Sequence, residues 1–153
     1  MKSKIARNFH LALLSFLGLS AFGGGGTLII SPSGKLLGGL PLSILENSPF
    51  DDFLIPGIIL FLVLGVFSIF IVFALIKKPI SMFAERFNLF SDMHWAWTFS
   101  IYIAFALIVW LQTEMYFLQA VSWLHNFYMA LAIAIIFVAI LPQVRAFYSK
   151  KNK

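Results

Sequence analysis

Few side chains in this sequence can do chemistry. Three histidines and six carboxylates are spread over 153 residues, and there is no cysteine. Without a thiol, disulfide exchange, thiolate catalysis and cysteine-ligated metal or iron–sulfur sites are excluded. No nucleophile–base spacing or HExxH-type metal motif occurs, and the glycine run at 23–26 lacks the G-x-G-x-x-G pattern of a phosphate cradle. No residue is therefore expected to be catalytic. The polar groups that do gather lie between 110 and 126. Glu114 follows Trp110 by four positions, one helical turn, while Gln112, Tyr116 and Gln119 share another face if the helix continues that far. His125 and Asn126 open the next apolar run, beside Trp123 and Tyr128. A carboxylate, two amides and an imidazole at one depth have two readings. They form an anchoring belt at a membrane boundary, or a pocket in which Trp110, Gln112, Glu114, Gln119 and His125 bind a ligand.

The other two histidines, His10 and His94, fall near matching ends of their apolar runs. Such a pair could meet at a metal or haem. No other ligand type accompanies them, so no metal and no cofactor is expected.

The elements that must position these groups follow from composition. The chain is 61% hydrophobic and only 11% charged, with a mean hydropathy of +0.95. A soluble domain is about a quarter charged, and a core of this length cannot hide so much apolar surface from water. The excess must face lipid. We expect one all-α transmembrane domain over 1–153, with lipid as its first partner. A helix needs roughly 20 apolar residues to cross a bilayer core, and four runs qualify, at about 9–30, 53–76, 94–117 and 121–141. Lys2, Lys4 and Arg7 before an apolar run also suit a secretory signal peptide; we read the run as a retained first span.

The net charge of +5 does not point to nucleic acid, because the eleven Lys and Arg residues form no continuous stripe. Ten of them cluster before the first span, between the second and third, and after the fourth; only Lys35 lies elsewhere. By the positive-inside rule both termini and the 77–93 loop are cytoplasmic. Glu114 then sits near the outer boundary, because the 17 residues from 95 to 111 already cover roughly 25 Å of apolar helix.

Both long connections carry local signals. In the 31–52 loop, Pro32-Ser33-Gly34 reads as a turn, and Ser48-Pro49 as a cap and first helical residue of span two, with Asp51 and Asp52 at the positive end of its dipole. In the 77–93 loop, Ile80, Phe83, Phe87 and Phe90 recur at helical spacing opposite Ser81, Glu85, Arg86 and Asn88. That pattern predicts an amphipathic helix over 80–90 on the inner membrane surface, with Ser91 or Asp92 capping the third span.

Helices in lipid associate where small residues allow close approach. Candidate seams are Gly18, Ala21 and Gly25 in span one, Gly65 and Ser68 in span two, Ala96, Ser100 and Ala104 in span three, and Ala130 and Ala134 in span four. They would close a four-helix bundle, or serve a protein partner or a second copy. For the run at 23–26 the simpler expectation is a helix end that frays; the other is close approach to a helix or ligand.

At Ser48-Pro49-Phe50, Ile55-Pro56-Gly57 and Ser122-Trp123-Leu124-His125 the chain resembles a group of small bacterial four-span membrane proteins with no assigned activity. Asn126 and Ala132 stand where that group tends to have Pro and Gly. The resemblance implies a bacterial inner-membrane location and no particular reaction. Three function classes stay open: a non-catalytic small subunit or ligand-binding scaffold, a transporter or channel component, and a lipid-modifying enzyme at the outer leaflet. A transporter is expected to place charge near the midplane, and these spans place none there. An enzyme would have only Glu114 and His125 to use. The first class leads.

Overall fold

The computed structural model describes residues 2–150, with side chains from Lys4 onward; Lys151 and Lys153, and the Lys2 side chain, lie outside the described residues. Helix α1 runs Lys2–Ile30, α2 Leu54–Lys77, α3 Met82–Arg86, α4 Trp95–Leu118, α5 Trp123–Ile140 and α6 Pro142–Tyr148, and the described residues form no strand. Four of these, α1, α2, α4 and α5, are long and apolar enough to cross a membrane. They pack as an all-α bundle, the architecture of a multi-pass membrane protein. Main-chain hydrogen bonds close within each helix, which is what a segment in lipid requires.

The helix ends have identifiable causes. Lys78 stops α2 in the left-handed conformation at φ 50°, and Pro79 follows. Gln119 stops α4 in the same way, also at φ 50°. A non-glycine residue seldom adopts that conformation, so no Gly or Pro marks the boundary between the third and fourth spans. The Ser48-Pro49 expectation fails. Ser48 Oγ accepts the Phe50 N–H at 3.2 Å within a turn, and α2 begins only at Leu54, whose N–H is taken by Asp52 at 2.9 Å. The reason lies in Phe53: its N–H is donated to Pro32 O, and its ring is buried with Leu28 and Leu45. The chain up to Phe53 therefore belongs to the loop.

The glycines of α1 make its seam with α2. A Cβ on Gly25 would lie 2.6 Å from Phe61 N and 2.8 Å from Gly57 O; one on Gly65 would lie 2.9 Å from Phe22 N. Main chain rests on main chain at these points. The helix does not fray at 23–26 but continues to Ile30, and of that run Gly25 makes the close approach while Gly23 faces open space. Opposite this seam α2 is a π-helix over Leu60–Val66, between α-helical ends.

In α4 the stripe Ala96, Ser100 and Ala104 is fully buried, as expected of a seam. In α5 the buried small residues are Ala132 and Ala139; Ala130 is exposed and Ala134 half-buried. Ala130 is two positions from Ala132, about 200° around a helix, so it faces outward. Between the spans, Trp97 donates its indole N–H to Ala139 O at 2.9 Å. That carbonyl lies in the last turn of α5, where no helical N–H remains to satisfy it.

Candidate functional site

Glu114 and His125 are brought together at the end of the bundle away from the termini. The turn at 119–122 reverses the chain between α4 and α5, so a residue four positions before the end of α4 meets one in the first turn of α5. Glu114 Oε2 stands 3.8 Å from His125 Nε2; the imidazole is 8% exposed and the carboxylate 36%. The Trp110 indole, one turn earlier on α4, lies beside the same carboxylate. On the other side of the ring, His125 Nδ1 accepts the Ser122 backbone N–H at 2.9 Å and lies 3.3 Å from Ser122 Oγ.

These contacts fix the proton. A ring nitrogen that accepts an N–H carries none itself, so in the neutral imidazole the proton is on Nε2, facing Glu114. Ser122 at the N-cap and His125 three residues later form a capping pair. Local helix-start chemistry thus orients the ring, and the α4–α5 turn brings the carboxylate to it. The arrangement offers a hydrogen-bond donor and an acceptor side by side, backed by an indole, at a partly exposed boundary.

Of the five residues expected to bind, Trp110, Glu114 and His125 converge. Gln112 is exposed on α4, two positions before Glu114 and about 200° away from it around the helix. Gln119 is exposed at the left-handed C-cap, where its side-chain amide donates to Tyr116 O at 2.6 Å. Sequence reasoning missed Ser122; the signal was its spacing of three from His125 at the start of an apolar run.

The other histidines serve differently. His94, not Ser91 or Asp92, caps α4: its Nδ1 accepts the Ala96 N–H at 3.2 Å. His10 is fully buried in α1, and neither ring nitrogen is hydrogen-bonded. Among the described residues, no three His, Asp or Glu side chains come close enough together to hold a metal ion. An open apolar groove of about 400 Å³ runs between α1 and α5, lined by Leu13, Phe16, Phe127, Ala130, Leu131 and Ala134. Glu114 and His125 do not line it.

The fold and this pair define a small multi-pass helical membrane protein with one polar cluster at the end opposite its termini. Comparison with protein families, with curated proteins and with solved structures finds no match.

Proposed function

We propose that this chain is a non-catalytic small subunit or ligand-binding scaffold of a bacterial inner membrane. In this reading both termini and the 77–93 loop are cytoplasmic and the 31–53 loop is external. The split of basic residues supports that orientation, and the resemblance at Ser48-Pro49-Phe50 and Ser122-Trp123-Leu124-His125 supports the location. α3 and its flanks lie flat on the inner surface. The site is the Glu114–His125 pair with Trp110, and its occupant is a small polar or amphiphilic ligand or a partner's loop.

One observation carries this reading: a carboxylate and a tautomer-fixed imidazole stand 3.8 Å apart at a partly exposed end of the bundle. Paired donor and acceptor groups suit a ligand bearing both. A second reading, a lipid-modifying enzyme, draws on the line Ser122–His125–Glu114. It is the weaker one, because the Nδ1 lone pair is already engaged by the Ser122 amide at 2.9 Å and is poorly placed to take the hydroxyl proton.

The test is purification in mild detergent, with mass spectrometry of what stays bound. Glu114→Gln should lose the bound species and keep its thermal stability, while His125→Ala should lose it together with some stability, because the buried ring also caps α5. If Glu114→Gln too loses stability and wild type retains nothing, the pair is structural. Orientation has its own test. In this cysteine-free chain, Ser33→Cys should react with an impermeant thiol reagent in intact cells and Ser91→Cys should not. Labelling of both from outside would remove the four-span reading.

A further inference from the structure

The end of the bundle that holds the termini differs from the other end in both charge and shape. Among the described side chains it carries seven of the eight bases and two of the six acids, Glu85 and Asp92. Both acids are neutralised by bases from the C-terminal segment: Glu85 meets Lys150 at 2.7 Å and Asp92 meets Arg145 at 3.7 Å. Lys77 and Arg86 are exposed on the loop itself. The opposite end carries one base, Lys35, and four acids.

The same loop presents large apolar side chains beyond the spans, where water would otherwise meet them. Ile80 is 88% exposed, Met82 85%, Leu89 80% and Phe83 73%. Met82 and Phe83 sit on the short helix Met82–Arg86, and Ile80 and Leu89 on the chain to either side of it. Asn88 ends it by donating to Glu85 at 2.9 Å and to Met93 O at 2.8 Å, which draws the chain into a turn. Apolar side chains held outward between exposed bases, with every nearby acid paired, match one surface: anionic headgroups above acyl chains.

We propose that the 77–93 loop is a binding surface for anionic phospholipid, in which Lys77 and Arg86 hold headgroup phosphates while Ile80, Met82 and Phe83 enter the acyl boundary. The Lys150–Glu85 and Arg145–Asp92 pairs serve this surface by offsetting the two acids at this end that would repel the lipid. The inference deepens the membrane reading above but does not depend on which side of the cell the loop faces.

The experiment uses the full chain in detergent, titrated with phosphatidylglycerol or with phosphatidylcholine and read by native mass spectrometry. Wild type should retain phosphatidylglycerol in preference. Lys77→Gln and Arg86→Gln should each weaken that retention roughly fivefold, leaving phosphatidylcholine unchanged, while Lys35→Gln at the far end should change nothing. A fluorophore on Met82→Cys should shift to the blue in vesicles containing phosphatidylglycerol and revert at high salt. Equal retention of both lipids by wild type and variants would overturn the proposal. So would a Met82 probe shielded by a co-purifying protein and indifferent to lipid charge. Neither result would touch the orientation, which the cysteine labelling at 33 and 91 tests separately.

Discussion

Lys150 closes on Glu85 across 65 positions of sequence, Nζ to Oε2 at 2.7 Å, and ties the C-terminal segment to the loop between the second and third spans. Main-chain bonds run beside it, from His94 N to Tyr148 O at 2.7 Å and from Lys150 N to Asp92 O at 2.9 Å. Tyr148 is buried beneath this strap, with Lys78 Nζ 5.2 Å from its ring centre.

The strap should loosen in acid. Burial alone would raise the Glu85 pKa, but hydrogen bonds from Asn88 and Lys150 and the charge of Lys150 outweigh it and hold the carboxyl below its usual value. A group whose pKa is depressed on folding adds stability above its unfolded pKa, near 4.3, and loses it as pH falls through the lowered folded value. The pair is partly exposed, so the amount is about 1 kcal/mol or less. Amide hydrogen exchange at His94 and Lys150 should accelerate on acidification in wild type, after correction for intrinsic rates. Glu85→Gln should show the faster exchange already at neutral pH.

At alkaline pH the same region responds through Tyr148. Burial pushes its hydroxyl up to about 12, with Arg7 acting in the opposite sense. A raised pKa gives stability that is complete below the unfolded value near 10 and declines as pH rises toward the folded one. Phenolate absorbance should therefore show a step well above the usual tyrosine range, and Tyr148→Phe should abolish that late step.

The glycine seam gives a contrast within three residues. Gly25→Ala drives a methyl group into the α2 backbone, 2.6 Å from Phe61 N, and should cost about 1–3 kcal/mol. Gly23→Ala meets nothing within 4 Å and should be neutral or stabilising by up to about 1 kcal/mol through helix propensity. Thermal denaturation in detergent separates the two. Equal effects would mean that the seam does not hold the helices.

Trp97→Phe keeps most of the buried ring and removes its N–H, leaving Ala139 O in the last turn of α5 without that donor. An unsatisfied buried acceptor costs about 1–3 kcal/mol. Denaturation of the variant should fall in that range. A value near zero would mean that another group satisfies the carbonyl.

The four spans were legible because apolar length is a coarse, additive signal: the expected bounds of 9–30, 53–76, 94–117 and 121–141 lie within a few residues of the helices, except that α1 begins earlier, at Lys2. Trp110, Glu114 and His125 were legible as a group because helix spacing and depth place them at one level. What sequence did not reveal depends on long-range partners. Ser48-Pro49 has the local form of a helix start, yet Phe53 is held by Pro32 and buried in the loop. The 80–90 pattern has helical period, yet Asn88 finds Met93 O and turns the chain. Gln119 ends α4 in a conformation its type does not advertise. The strap joins residues separated by 65 positions, which no local pattern encodes.

The main-chain contact between α1 and α2 also sets where this bundle can move. At Gly25 and Gly65 there is no side chain to change rotamer and no atom to trim, so the distance between the two helix axes has nothing to adjust it. The pair should therefore move as one unit. The α4–α5 side is different: apart from its alanine and serine stripe it packs through Leu107, Leu111, Leu131 and Ile135, whose side chains can shift by small steps. Breathing of the bundle should therefore be a displacement of the second hairpin against the first, with the Glu114–His125 pair riding on the second.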